Sequence, residues 1–405
     1  MSFQQGLSGL NASAKHLDVI GNNVANSNTV GFKQSQALFA DMYATSLAGA
    51  DTVRVGTGVK ISNVAQQFTQ GNITNTSNSM DIAISGQGFF RMEDQNGAIS
   101  YSRNGQFQLD KNGFIVNSQG HRLSGYMATN GIINTAQPVP LQIVASDLTP
   151  NPTANVKVGL NLDSRMAVPA ITPFNPNDPQ TYNSSTSLTL YDSLGSSHVA
   201  SLYFAKTAAN TWDAYLTVDG AQVPLAGTPL ATLSFNTSGQ LTTPMPVVSA
   251  AFTPTGAGAQ TLTFDFTGTS QFGGNFGVNA MTQDGFASGR LSGFTTGQDG
   301  IILGRYTNGQ SRTLAQVVLA NFTNPQGLQP LGNNAWAETA SSGGPLVGIP
   351  GSSSLGVLQS SAVEDSNVDL TAELVNMITA QRVYQANAQT IKAQDQVLQT
   401  LVNLR

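Results

Sequence analysis

The sequence predicts a mixed, mainly β fold: nested β-domains, with N- and C-terminal α-helices packed as an antiparallel, coiled-coil-like pair. Three observations lead there. Heptad-spaced apolar residues mark both ends of the chain, the long middle part alternates apolar and other residues at period two, and proline- and glycine-rich stretches break that middle into segments.

In order along the chain, Phe3, Leu7, Leu10, Ala14, Leu17, Gly21 and Val24 keep an alternating four-three spacing, the seam of a helix that packs on another helix and ends near residue 25. In VRVGTGVKI, Val53, Val55, Val59 and Ile61 recur at every second position, as Trp212, Ala214, Leu216 and Val218 do in WDAYLTV; both read as half-buried strands. DQNGAI from Asp94 and DKNGFI from Asp110 repeat an Asn-Gly turn between apolar stretches, so residues 80–126 read as a compact β-unit built on hairpins. Proline clusters in PVPLQIVASDLTPNPTAN and VPAITPFNPNDP suit a domain crossing and place a boundary near residue 149. A second boundary near 281 rests on the glycine-rich QFGGNFGVNAM, and SSGGPLVGIPGSSSLG separates the last strands from the C-terminal helix.

That helix carries Leu370, Leu374, Met377, Gln381, Tyr384, Ala388, Ile391, Asp395, Leu398 and Val402 on one seam, with Ser366 and Asn367 as N-cap candidates. Neither terminal helix can bury its stripe alone. They are expected to pack on each other and on neighbouring copies, and because the chain leaves along one and returns along the other, the pair is antiparallel. The expected organisation is a helical domain from 1–26 and 366–405, a connecting segment from 27–79 and 354–365, an inner β-domain from 80–148 and 281–353, and an outer β-domain inserted at 149–280.

Composition narrows the function. Only 10% of the 405 residues are charged, against about 25% in an ordinary soluble protein. A net charge of −5 supplies no basic field for nucleic acid, and no apolar run approaches the length of a membrane span, so neither nucleic acid nor membrane insertion is expected. Cysteine is absent, which removes disulfides, thiolate catalysis and Cys-based metal sites. The N-terminus lacks a basic region followed by a long apolar one, so export would proceed without a cleaved signal peptide.

Catalysis has little to work with. His16, His121 and His198 fall in separate segments, and HExxH, GxSxG and P-loop patterns do not occur. The DxNG turns place Gly97 and Gly113 three residues after the aspartate, which does not meet the EF-hand order. GTG at Gly56 and GQG at Gly86 lack the third glycine of a dinucleotide site, and Asp163, Asp178 and Asp192 form no pair of defined spacing. No catalytic residue, cofactor or metal is expected. A β-rich adhesin or carbohydrate-binding module would use Trp212, Trp336 and Tyr191, yet has no need of heptads at both ends.

SGLNASAKHLDVIGNNVANSNTVGFK, from Ser8 to Lys33, resembles the N-terminal signature of bacterial flagellar rod and hook proteins, and EDSNVDLTAELVNMITAQRVYQANAQTIKAQDQVLQTLVNLR is similar to their C-terminal helix. SMDIAISGQGFFRM, YSRNGQFQLDKNGFIVNSQGHRLSGY and LAQVVLANFTNPQGLQPLGNNAWAETASSG resemble the β-domain of the same family. The insertion at 149–280 matches no motif by itself, but its presence favours the longer, hook-type members over the distal rod proteins. The resemblance implies an extracellular structural subunit, exported by the flagellar pathway. Many copies would assemble into a curved, flexible tube, a universal joint that carries torque from motor to filament. It implies contacts with further copies, with the distal rod, hook cap and hook-filament junction proteins, and with the export apparatus. Carried over residue by residue, Leu7, Leu10, Leu17, Ile20, Leu370, Leu374, Met377, Ile391, Leu398 and Val402 make the inner helical packing. Gly21, Asn22, Asn23, Asn26, Asn28, Gly31 and Phe32 make the joint beneath it, where Asn and Gly accept turn conformations and satisfy the helix end. The neutral polar composition would let outer domains slide on one another, since such contacts exchange with water at little net cost.

Overall fold

The computed structural model describes residues 2–42, 56–144, 147–224 and 227–403; Val53 and Val55 lie outside the described residues. The chain divides into two units, one made of Met1–Val144, Gly293–Arg305 and Ser311–Arg405, the other of Ala145–Ser292 and Tyr306–Gln310.

In the first unit, α1 (Ser2–Ala25) and α2 (Leu370–Asn403) run antiparallel. Gly6 and Gly9 near the start of α1 face Ile391 and Asn387, whereas Gln34, past its end, bonds Glu373 in the first turn of α2. Asp369 caps α2, its Oδ1 accepting the N–H groups of Thr371 at 2.9 Å and Ala372 at 3.1 Å. The expected caps, Ser366 and Asn367, come too early for that geometry, and Asn367 is committed elsewhere. After α1 the chain forms a two-stranded antiparallel ribbon, β1 (Ser35–Met42) on β2 (Gly58–Gln66), with a bulge between Leu38 and Phe39. Such a ribbon is marginal alone. It leans on α1: the Val59 N–H donates to Ser8 Oγ at 3.3 Å, Gln5 Nε2 donates to the Gly56 carbonyl at 2.6 Å, and His16 meets the Phe39 ring edge-on at 5.7 Å.

The β-body of this unit interleaves the outgoing and returning chain. Strands Ser311–Val317, Arg122–Thr129, Phe89–Glu93, Ile99–Ser102, Ala335–Ala337 and Gln329–Gly332 lie side by side in that order. An aromatic core of Phe89, Tyr101, Phe322 and Trp336, with Phe68 against it, closes one face. Its hairpins reuse one turn. Asp94 Oδ1 accepts the Asn96 and Ala98 N–H groups at 2.7 and 2.8 Å, and Asp110 Oδ1 accepts those of Asn112 and Phe114, each at 2.8 Å. Gly97 and Gly113 follow at φ 87° and 83°. Asn117, Asp192 and Asn236 head turns of the same kind, so the visible repeat is two of five such turns among the described residues.

The second unit is a pair of packed sheets. Asn155–Asp163 pairs in parallel with Thr263–Asp265 and Ser270–Phe272 and antiparallel with Gly277–Gln283. The expected crossing at 281 falls inside that last strand, because the sheet is closed by the antiparallel partner of Asn155–Asp163, and the unit runs on to Ser292. The other sheet is the antiparallel meander Ser184–Tyr191, Ser197–Ala208, Thr211–Val218 and Ala221–Val223. Val156, Val158, Leu160 and Leu162 alternate inward against Leu202, Phe204, Trp212, Leu216, Phe264 and Phe266. Thr211–Val218, expected half-buried, is buried on both faces, because Phe174 stacks on Tyr215 at 4.1 Å from the segment that crosses its outer side.

Candidate functional site

The helix pair keeps the expected period, and its contact draws both on an expected position, Ile391, and on positions one residue ahead of the stripe. On α1, Gly6 and Gly9 stand against α2, and Ser13 and Ile20 are buried further along; each lies one residue before a position of the leucine stripe. Their small size sets the approach: a Cβ at Gly9 would stand 2.8 Å from the Asn387 amide and one at Gly6 would stand 3.1 Å from Ile391. On α2 the buried positions are Glu373 and Ala380, again one before Leu374 and Gln381. Side chains on a helix lean toward its N-terminus, so a stripe and the contact beneath it need not coincide.

The predicted packing residues therefore divide. Ile20 is buried, Leu10, Leu17, Met377 and Ile391 are half-buried, and Leu7, Leu370, Leu374 and Leu398 are 44–50% exposed. The Val402 side chain lies outside the described residues. Phe3, Val375, Ile378, Val383 and Val397 are also exposed, so both helices present apolar rows that the isolated chain leaves uncovered.

Beneath the helices lies the joint. Asn23 is 1% exposed and grips the next strand with both ends of its amide, Oδ1 accepting the Ser35 N–H at 2.9 Å and Nδ2 donating to the Ser35 carbonyl at 2.8 Å. Asn26 Nδ2 donates to the Asn22 carbonyl at 3.0 Å, and its own Oδ1 accepts the Thr29 hydroxyl at 3.2 Å, closing the turn. Gly31 sits at φ 71°, where a Cβ would stand 2.7 Å from the Asn104 nitrogen, and its N–H reaches the Glu364 carbonyl at 2.8 Å. Phe32 lines a groove with Ile61, Val64 and Trp336. Gly21 has open space around it and Asn28 is exposed, so neither is drawn into this packing.

The centre of the joint is a buried ion triad that pattern reading did not find. Glu364 Oε1 receives Lys33 Nζ at 2.6 Å and the Gly71 N–H at 2.9 Å, and Oε2 receives Arg103 Nη1 at 3.0 Å. Lys33 Nζ also donates to the Thr69 carbonyl at 2.8 Å, and Arg103 Nη2 to the Gly86 carbonyl at 2.7 Å. All three side chains are at most 3% exposed. Burial pushes the Lys33 and Arg103 cations below their ordinary pKa values, and Glu364 opposes that in both. Asn367 adds a clasp, accepting the Gln34 N–H at 2.7 Å and donating to the Gln67 carbonyl at 2.8 Å. The chain leaving α1, the chain leaving the ribbon and the chain entering α2 are thus bound at one point. The available signal was the scarcity of charge: a lysine closing GFK and a glutamate in VED stand out in a charge-poor chain, but nothing in the sequence joins residues 331 positions apart.

No group of three or more His, Asp or Glu that could hold a metal occurs among the described residues, and no helix there is long and apolar enough to cross a membrane.

Four family descriptions match separate stretches of the chain: "Flagella basal body rod protein" over 3–33, "Flagellar hook protein FlgE/F/G D1 domain" over 83–160, "Flagellar basal body protein FlaE D2 domain" over 161–286, and "Flagellar basal body rod FlgEFG protein C-terminal" over 359–404. The flagellar hook protein FlgE of Salmonella typhimurium is 47% identical over 414 residues, covering 100% of both chains. The chain belongs to the flagellar hook protein family. The hook proteins of Escherichia coli and Borreliella burgdorferi agree at 45% and 32% identity over 100% of this chain and 100% and 99% of theirs. The crystal structure of Helicobacter pylori flagellar hook protein FlgE2 shares the fold at a TM-score of 0.54 and 13% identity, covering 72% of this chain and 100% of that one. For a hook-family chain, a structural subunit of the flagellum, the surfaces that matter are those that copies offer one another.

Proposed function

We propose that this hook subunit works by closing its exposed helical rows against neighbouring copies, forming a flexible tube that passes torque from motor to filament. The observation that carries this reading is the phase of the helix pair. The small residues of α1 are spent inside the chain, and the larger apolar ones, Leu7, Leu370, Leu374 and Leu398, remain for intermolecular packing. Covering such side chains contributes about 1.5–3 kcal/mol each, a term that recurs in every subunit. The buried joint then binds the helical layer to the β-body, so rotation of one is transmitted to the other.

The four-part division belongs to this proposal: terminal helices, connecting ribbon and joint, inner β-body, and an outer inserted unit taken here as 145–292. So do export without a cleaved signal, placement outside the cell, the absence of catalysis, and contacts with rod, cap, junction and export proteins. The outer units slide on neutral, hydrated contacts; dry apolar contacts between them in assembled tubes would contradict that part.

Leu398→Asp tests the core of the reading. The position is 50% exposed in the single chain, so the melting temperature of the monomer should hardly change. In the tube the same aspartate would be an unpaired buried charge, costing several kcal/mol in each copy. Electron microscopy of the purified variant under assembly conditions should find no tubes. Normal polymerisation would overturn the assignment of this helix to the inner packing.

A further inference from the structure

One imidazole in the second unit is held in a geometry that only its charged form satisfies. His198 opens the strand Ser197–Ala208, with Asp219 Oδ2 2.6 Å from Nδ1 and Asp192 Oδ2 3.2 Å from Nε2. A neutral imidazole has one N–H, so it can serve one carboxylate and must turn a lone pair on the other. The two carboxylates lie at opposite nitrogens and do not converge as metal ligands would. Among the described residues they are the only charged groups acting on the ring. Both also organise backbone. Asp192 Oδ1 accepts the Leu194 and Ser196 N–H groups, each at 2.8 Å, and Asp219 Oδ1 accepts the Val199 N–H at 3.0 Å.

The Asp192 turn lies against the segments by which the chain enters and leaves this unit. Gly195 sits at φ 83°, and a Cβ there would stand 2.8 Å from Pro150 and 3.4 Å from Ala287. Those two segments are bridged at Asn151 and Phe286 and at Leu148 and Gly289.

We propose that His198 is a pH-operated brace of the outer unit. As an imidazolium it ties the turn resting on the entry and exit segments to the turn at Asp219, and on losing a proton it releases Asp219. The choice of which carboxylate is released follows from burial. The Asp192 side chain is 1% exposed and Asp219 is 52% exposed. The remaining proton stays on Nε2, because a buried carboxylate oxygen without a donor costs more than one that can turn into water.

The sign follows from linkage. Both carboxylates raise the imidazole pKa in the fold, chiefly through the Asp219 hydrogen bond, so its stabilisation is complete below the unfolded value of about 6.5 and is lost as pH rises through the folded value. The test uses the full chain with histidine labelled in its ring nitrogens; only three histidines exist, and His198→Gln identifies the resonance. We expect both ring nitrogens of His198 to carry protons at pH 6.5, a titration midpoint above that, and the Nε2–H tautomer at higher pH. Asp219→Asn should move the midpoint down. The melting temperature of the native chain should fall by a few degrees as pH rises through the midpoint, and this fall should be missing in His198→Gln. A midpoint at or below 6.5, or the same fall in His198→Gln, would overturn the proposal. Should that variant not fold, the titration and tautomer of the native chain still decide.

Discussion

Glu364 is the residue on which the joint turns. It takes two cations and a backbone N–H in a site closed to water. Replacing it by Gln leaves Lys33 and Arg103 buried without an anion, and breaking a buried pair in this way costs about 3–5 kcal/mol. Denaturant unfolding of Glu364→Gln should show that loss, and an unchanged midpoint would mean the triad is not what holds the three passages together. Replacing all three members by apolar residues of similar volume need not destabilise the chain, since their mutual attraction mostly repays their own desolvation. The triad is better understood as fixing register than as adding stability. Gly31 is tested separately: φ 71° and a backbone 2.7 Å from any Cβ predict that Gly31→Ala costs about 1–3 kcal/mol. A loss below about 0.5 kcal/mol, the usual effect of a surface change, would show that the Arg103–Asn104 segment gives way easily.

At the scale of elements, the terminal helices have two apolar interfaces, one inside the chain and one outside it. Their separation by a single position explains why a stripe of leucines can be both well ordered and exposed. The inner contact depends on Gly6, Gly9 and Ser13, whose Oγ folds back on the Gly9 carbonyl at 2.8 Å and adds no bulk to the seam. Gly9→Leu should force α1 and α2 apart. Limited proteolysis of the monomer would then cut both helices faster than in the native chain while leaving the β-body intact, and equal cutting rates would show that the helices were not paired before assembly. In tubes of the native chain both helices should be protected, because assembly covers the outer rows as well.

For the whole molecule, the question is whether the outer unit is separable. The Leu148 N–H donates to the Gly289 carbonyl at 2.7 Å, so the segments entering and leaving the unit lie a hydrogen bond apart. Joining Val144 to Gly293 should therefore give a shorter chain that still unfolds cooperatively with native β-structure, as expected for an inserted domain. Loss of β-structure in the shortened chain would mean that residues 145–292 are needed to fold the rest.

Periodicity and composition alone determined the class of this protein: two heptad helices at its ends, strands between them, and hairpins at DxNG. Those features are local, written in neighbours three, four or two positions apart, and local physics suffices to read them. Even there Asn117, Asp192 and Asn236, heads of the same turn, carry no Asn-Gly signal, because Gln119, Leu194 and Ser238 stand in place of the Asn before glycine. Tertiary structure decided which side of each helix faces inward, because a period carries no phase until a partner is placed against it, and here the partner chose glycine and serine over leucine. It alone decided the joint as well. Lys33, Arg103 and Glu364 are unrelated along the chain, and only folding brings each cation to within 3.0 Å of Glu364, where burial turns three ordinary charges into one unit.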